Sequence, residues 1–452
     1  MVKKSGSAPL NFTQSHALFR RAAAVIPGGI YGHTAPAATV PGAVPYFAAE
    51  GFGCRYRDVD GNTFIDLMGG YGPIVLGYHH PEVEAAADAA RARGAAFNHP
   101  TALLVELAEA LTARIDFADW AVFGKNGADL TNWAIMVARE VTGRPKILKI
   151  AGAYHGTQAW CTPGHGGLLP EDRAHIHEFA FNDVAGLEAL FARHRGAVAG
   201  LILTPFHHPA YDDSVLPTPE FVAAANRLCR EHGALLILDD VRCGFRLSTD
   251  GSHTVYGYTP DLAVYCKALA NGHPLSACVG RAEHQAAASR VFLTGSYWND
   301  PAPMAAALAT LTIIARDNIP QKLAATGQRL VDGWLALGKK HGIPLIASGP
   351  PAMPYVRVAD DPSLLRTQHL CAAAVAEGVF IHPHHNGFIS AAMTAADVDE
   401  TLERLDRALA KLSEAEQVAQ TSSLPGSPSD AGAKQTGSLR YLRKPPVPLP
   451  CA

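Results

Sequence analysis

The stretch from Ala234 to Lys267 constrains this chain more than any other. It opens ALLILDDVRCGFR and closes PDLAVYCK. Leu235, Leu236, Ile237 and Leu238 form a short, continuous apolar run of the kind a buried strand presents, followed by Asp239, Asp240 and a turn at Gly244. Leu262 to Tyr265 is a second such run, and Lys267 follows it. Two apolar strands that each deliver an ionisable group at the C-terminal end predict an open α/β sheet with its chemistry at that edge. A carboxylate and an amine placed this way suit a cofactor that needs both.

The rest of the chain fits around that unit. Leu18, Phe19, Ala22 and Ile26 keep helical spacing up to a stop at Pro27-Gly28-Gly29, and residues 30–45 read as an extended connection. Asp60-Gly61 between two partly alternating runs predicts a hairpin. An Ala-rich helix over 82–93 and a second through Leu104, Leu107, Leu111 and Ile115 follow. Strands at 121–123, 146–150 and 200–204 then alternate with helices at 130–141, 184–191 and 221–230, the pattern of a mainly parallel sheet with helices on both faces. After Pro301 a long apolar helix over 304–315 leads into a mixed segment and a last helix through Leu402, Leu405 and Leu409. From about Glu416 the composition turns to Ser, Gly, Pro and Lys, which predicts a disordered tail.

Charge and composition exclude several classes. With 38 basic against 41 acidic residues and a net charge of -3, no basic footprint points to nucleic acid. The N-terminus lacks the apolar core of a signal peptide, no apolar run is long enough to span a membrane, and the eight cysteines show no CxxC pair. The chain reads as cytoplasmic and reduced, with small molecules as partners.

Lys267 is the first chemical candidate, because a partly desolvated lysine at a strand end is suited to Schiff-base formation with an aldehyde. A surface lysine past a strand is the ordinary alternative. Asp239 is the second: a carboxylate leaving a buried strand needs a partner, and a protonated pyridine nitrogen, a metal or a helix end would each serve. Asn126, Gly127 and Ala128 lie between a short strand and a helix, where backbone N–H groups can face a phosphate. Tyr154 and His155 can set an aromatic face on a ring. His382, His384 and His385 are adjacent or nearly so in a Pro-containing loop and lack the i, i+4 spacing of a helical metal site, so no metal is assigned.

These residues resemble a known family. LLILDDVRCGFR with PDLAVYCKALANGHPL is similar to the class III aminotransferases that use pyridoxal 5′-phosphate. AAAVIPGGI, YRDVDGNTFIDLMGGYGPIVLGYHHPEV, YHG, GSYWNDPAPMAAALATL and GFISAAMTAADVDETL resemble more narrowly the glutamate-1-semialdehyde 2,1-aminomutase branch, over roughly residues 15–412. The resemblance implies a mainly parallel seven-stranded sheet of the aspartate-aminotransferase type (fold type I) with a smaller α+β domain from both termini. Residues 1–70 would contribute to that small domain, 71–305 would bind cofactor, 306–415 would complete the small domain, and 416–452 would form the tail. It also implies roles: Lys267 as Schiff-base lysine and proton shuttle, Asp239 as partner of the pyridinium, Val241 behind the ring and Tyr154 above it. Gly127 and Ala128 would hold the phosphate, and Ser296 would reach the phosphate of a neighbouring subunit in a homodimer.

The chain departs from the family pattern in ways that matter. The phosphate loop is Asn126-Gly127-Ala128-Asp129 where the family has Ser-Gly-Thr-Glu, Asp240 replaces Glu, and Thr204-Pro205 stands where Glu-Pro is common. After Gly28-Gly29 the chain reads IYGHTAPA, without the aminomutase's arginine, and the segment 157–168 is shorter than the aminomutase loop that retains its intermediate. Both losses favour transfer between an amine or amino-acid donor and a separate carbonyl acceptor over an aminomutase reaction. A non-catalytic cofactor-binding protein is the alternative from another class. Arg242, Arg246, Arg357, His207, His208 and His384 are all candidates for a substrate carboxylate, and sequence order does not choose among them.

Overall fold

A computed structural model of the chain describes residues 10–32 and 47–422. The expected connection over 30–45 therefore falls largely outside the described residues. A small sheet begins with β1 (Ala48–Phe52), β2 (Arg55–Asp58) and β3 (Thr63–Asp66), and the hairpin predicted at Asp60-Gly61 joins β2 to β3. A seven-stranded sheet follows, made of β4 (Trp120–Gly124), β5 (Lys146–Ile150), β6 (Ile176–Phe179), β7 (Val198–Leu203), β8 (Leu235–Asp239), β9 (Leu262–Tyr265) and β10 (Ser276–Gly280). Its strand order is β4-β10-β9-β8-β7-β5-β6, and β10 alone runs against its neighbours.

The strands are buried on both faces, which is why they read as continuous apolar runs. In β8, Leu236 and Leu238 join one core while Leu235 and Ile237 join the other, as the two-residue period of a strand requires. Each such side chain contributes about 1.5–3 kcal/mol by leaving water. The helix Gly127–Thr142 covers one face with Leu130, Trp133, Ala134 and Val137, and Pro219–His232 covers the other with Phe221, Ala225 and Leu228. A charge at Ile237 would have to enter this dry layer and would break it.

Beyond the large sheet come β11 (Leu345–Ser348), its antiparallel partner β12 (Tyr355–Val358), and β13 (Val379–Phe380). β13 pairs in parallel with β3, setting Val379 against Ile65 and so joining both ends of the chain in one four-stranded sheet.

Two expectations need correction. The mixed segment after residue 318 is a regular helix, Ile319–His341. Its glycines disguise it: a Cβ at Gly327 would fall 1.8 Å from the Pro351 carbonyl oxygen, and one at Gly333 would fall 2.5 Å from Leu402 Cδ1. Close packing has overridden helix propensity there. The chain also does not loosen at Glu416, since the last helix runs Ala395–Ser422 and Glu416 accepts from Arg366 at 2.7 Å. Residues 423–452 lie outside the described residues. Among the described residues, no helix is long and apolar enough to cross a membrane.

Candidate active site

β4, β5, β8 and β9 all point the same way, so the residues that follow them meet at one edge of the sheet. Asp239 closes β8 and sits opposite Val264 of β9, three residues before Lys267. The acid and the amine are thus delivered by adjacent strands.

Asp239 is buried at 4% exposure and is held from two sides. His155 Nδ1 lies 2.7 Å from Oδ2, and the Val241 N–H donates to Oδ1 at 3.2 Å. His155 is itself buried and lies near-parallel to Trp160 at a 6.0 Å centroid distance. It therefore supports the carboxylate rather than offering a ring face as the sequence suggested. Tyr154, 53% exposed, keeps that aromatic role available. Asp240 turns away: its Oδ2 accepts from Ser252 N at 2.8 Å, and burial pushes its carboxyl up to about 7.

Lys267 adopts a left-handed backbone conformation with φ 45°, uncommon for a residue with a side chain. Asn271 anchors the turn, accepting from Leu76 N at 2.8 Å and donating to the Gly77 carbonyl at 2.9 Å. The Lys267 ammonium lies 5.8 Å from the Phe388 ring centroid and has no ion pair among the described residues. Burial, and then the nearby Arg242 charge, bring its pKa down to about 8. About a tenth of this amine is therefore neutral and nucleophilic at pH 7, far more than for an ordinary lysine.

The turn after β4 completes the edge. The Asp129 carboxylate accepts from the N–H groups of Lys125 and Asn126 at 3.1 and 2.8 Å, capping the helix that begins at Gly127. Gly127 has no room for a side chain, because a Cβ there would meet Val241 Cγ2 at 2.8 Å. Gly156, at φ 126°, packs as closely on Ala128, where a Cβ would come within 2.6 Å. Thr131 Oγ1 donates to the His155 carbonyl at 2.7 Å. Segments 127–128, 154–156 and 239–241 are thereby locked together.

These residues fit pyridoxal 5′-phosphate. Lys125, which the sequence reading passed over, carries a buried amine with no hydrogen-bond partner directly before the helix start. An orphaned cation beside first-turn N–H groups forms a donor set that a phosphate completes. Asp239 is a buried acceptor of the kind a pyridinium would need, and Lys267 offers an amine that an aldehyde could take. Ser296 is not brought into this cluster; it is exposed, between Phe292 and Tyr297 at 83% and 70% exposure.

The carboxylate candidates also separate. Arg357 is paired with Asp213 through Nε and Nη2 at 2.8 and 2.7 Å. Arg246 is fully buried and donates to the carbonyls of Ile389 and Gly72 at 2.5 and 2.8 Å. His208 bridges Ser214 Oγ and the Asn386 N–H, and His384 packs on the Tyr211 ring. His207 is buried, and desolvation followed by the Arg242 charge brings its pKa down to about 4.

A mainly parallel seven-stranded sheet that gathers an amine, a histidine-held carboxylate and a helix start at one edge defines a pyridoxal-phosphate enzyme of fold type I. The family model "Aminotransferase class-III" matches residues 37–409, and the chain belongs to that family. An aminopentol aminotransferase from Sphingopyxis macrogoltabida is 44% identical over 398 residues, covering 88% of this chain and 94% of its own. A 3-aminobutyryl-CoA aminotransferase from Cloacimonas acidaminovorans (strain Evry) is 34% identical over 409 residues, covering 89% and 98%. The solved structure of the FumI protein of Sphingopyxis sp. MTA144, in its PLP internal aldimine form, is similar with a TM-score of 0.87 at 42% identity, covering 91% of this chain and 98% of that one. The chain is a pyridoxal-phosphate-dependent aminotransferase, moving an amino group from a donor to a carbonyl acceptor. These relatives are aminotransferases, so they support the family and not the narrower aminomutase branch.

Proposed function

We propose that Lys267 and Asp239 carry the reaction. When bound, pyridoxal 5′-phosphate supplies an electron sink for the carbon that loses its proton. Lys267 supplies the amine that takes the aldehyde carbon and, once displaced by the donor, removes and returns the substrate proton. Asp239 holds the ring nitrogen protonated, and His155 fixes that carboxylate in place. Val241 and Tyr154 flank the ring, while Asn126, Gly127, Ala128 and Lys125 hold the phosphate. The observation that carries this reading is a partly buried lysine and a buried, histidine-fixed carboxylate delivered by adjacent strand ends. Borohydride reduction of the holoenzyme followed by peptide mapping tests it. The cofactor mass belongs on the peptide containing Lys267, and its appearance on another lysine would refute the assignment.

The relatives' names support a donor class. An aminopentol and a 3-aminobutyryl thioester both carry an amine without a free carboxylate beside it. We assign this chain the same kind of donor, with a separate carbonyl acceptor in place of the internal transfer of an aminomutase. The exposed segment holding Phe292, Ser296 and Tyr297 supports a homodimer in which Ser296 reaches the phosphate of the other copy. Light scattering of the holoenzyme and of a Ser296→Ala variant, with cofactor affinity as readout, tests that arrangement. The division of the chain at residues 70, 305 and 415 is likewise a proposal, supported by the β3–β13 pairing of its two ends.

A further inference from the structure

We infer that Asp240 is a positioning acid for the ring-nitrogen site: its charge reinforces Asp239, and its proton reaches solvent along a path by Tyr265, His253 and Asp116. The inference rests on the aminotransferase site proposed above and deepens it, because it gives a role to the second carboxyl at the end of β8. Asp240 follows Asp239 by one peptide, yet it turns to Ser252 rather than to His155. It is fully buried. Its Oδ2 accepts from the Ser252 N–H at 2.8 Å, while Oδ1 has no hydrogen-bond partner.

Two more buried polar atoms in this region lack hydrogen-bond partners. They are Oη of Tyr265, at 0% exposure, and Nδ1 of His253, at 4%. Both crowd one point, since a Cβ at Gly251 would lie 2.6 Å from Tyr265 Oη and 2.9 Å from His253 Nδ1. Gly251 sits at φ 104°, so backbone and space together keep a side chain out of that cradle. A carboxyl oxygen, a hydroxyl and an imidazole nitrogen gathered in a dry interior are costly unless they are linked, directly or through ordered water. The other end of His253 reaches outside: Nε2 lies 2.8 Å from Oδ1 of Asp116, whose side chain is 74% exposed. Phe117 meets the imidazole edge-on at 5.1 Å and fixes its plane. An imidazole with one nitrogen at the surface and one inside can take a proton on one side and release one on the other.

The titratable groups that act with Asp240 are few. Asp239 faces it from its own strand, Cys243 from the following turn, Tyr256 from the short helix His253–Tyr256 and Tyr265 from β9. Burial, and then the Asp240 charge among others, hold Cys243, Tyr256 and Tyr265 well above their ordinary values, so all three keep their protons. Asp239 is left as the charge on which Asp240 acts. With burial pushing Asp240 up to about 7, its carboxyl is neutral below that pH and charged above it. Charged, it sets a second negative charge beside the carboxylate proposed to hold the ring nitrogen and raises the cost of losing that proton. Neutral, it leaves Asp239 to hold the proton alone.

Two measurements test this. In the first, holoenzyme is mixed with sec-butylamine and the half-reaction rate is read from the cofactor's absorbance across pH. The ratio of wild-type to Asp240→Asn rates cancels the other titrations, and it should rise by about 3–10-fold from about pH 6 to about pH 8.5 as the extra charge appears. Asp240→Glu keeps a carboxyl and should keep the rise. A ratio that stays constant with pH, however large, marks Asp240 as merely structural and overturns the inference. The second measurement needs no substrate. Infrared spectra at about pH 6 should show a protonated-carboxyl band in wild type that Asp240→Asn lacks, and identical spectra overturn the inference. On dilution into D2O that band should shift at least about 10-fold more slowly in His253→Phe, because the imidazole link is gone. An equal rate overturns the path. Holoenzyme that does not react with sec-butylamine would break the site assignment instead, and the infrared spectra would still judge Asp240.

Discussion

Positive charge is held in opposite ways in two parts of this molecule. Around the small sheet the cations are matched: Arg55 Nη2 lies 2.6 Å from both Asp397 and Glu400, and Glu377 takes Arg407 and Lys411 at 2.6 and 2.5 Å. At the edge of the large sheet, Lys125, Arg242 and Lys267 have no ion pair among the described residues, although all three are at least partly buried. The first arrangement ties the last helix to β2 and stabilises the fold. The second leaves charge unsatisfied at the edge proposed to hold the cofactor, so on that proposal the edge is less stable empty than filled.

This contrast can be broken by substitution, and the largest effect is expected at Lys267. Lys267→Ala should lower turnover by about 10³-fold or more, measured in the half-reaction with an amine donor, because both nucleophile and proton carrier are lost. Asp239→Asn should follow at about 10²-fold, since an amide does not keep a ring nitrogen protonated. Its cofactor affinity, measured by fluorescence titration, should weaken as well.

The same lysine should show the reverse sign in stability. Its folded pKa of about 8 lies below the ordinary 10.5, so between those values the unfolded chain binds more protons and stability rises with pH. Below about 8 the penalty is fully present. Lys267→Met should therefore stabilise the cofactor-free protein by about 2–3 kcal/mol at pH 7, and the gain should vanish above pH 10.5. Urea unfolding at the two pH values checks this. Arg55→Ala should do the opposite and least, destabilising by about 1 kcal/mol because its partners are partly solvent-screened. Cofactor affinity should not change. A stabilising Arg55→Ala, or a destabilising Lys267→Met, would erase the distinction between the two regions.

Much of this was legible beforehand because it is written in local pattern. The apolar runs of β5, β7, β8 and β9 show because those strands are buried on both faces. Their ends place Asp239, Lys267 and Tyr154 on one edge once the strands are known to be parallel. β6 and β10 were missed. β6 has one fully buried residue in four, and β10, Ser-Ala-Cys-Val-Gly, has little bulk to mark it. The helix over 319–341 was hidden because its glycines answer to Pro351 and Leu402, residues distant in sequence.

The sequence by itself determined where the candidate groups stand: an acid and an amine at the ends of two buried strands, with a helix start nearby, follow from short-range periodicity. Only the tertiary structure decided which partners each cation meets. Arg242, Arg246 and Arg357 are the same residue type in one chain, yet one meets backbone carbonyls, one a carboxylate, and one neither. A charge's role depends on what lies within a few ångströms of it in a medium that screens poorly, and those neighbours come from segments as far apart in sequence as Asp213 and Arg357.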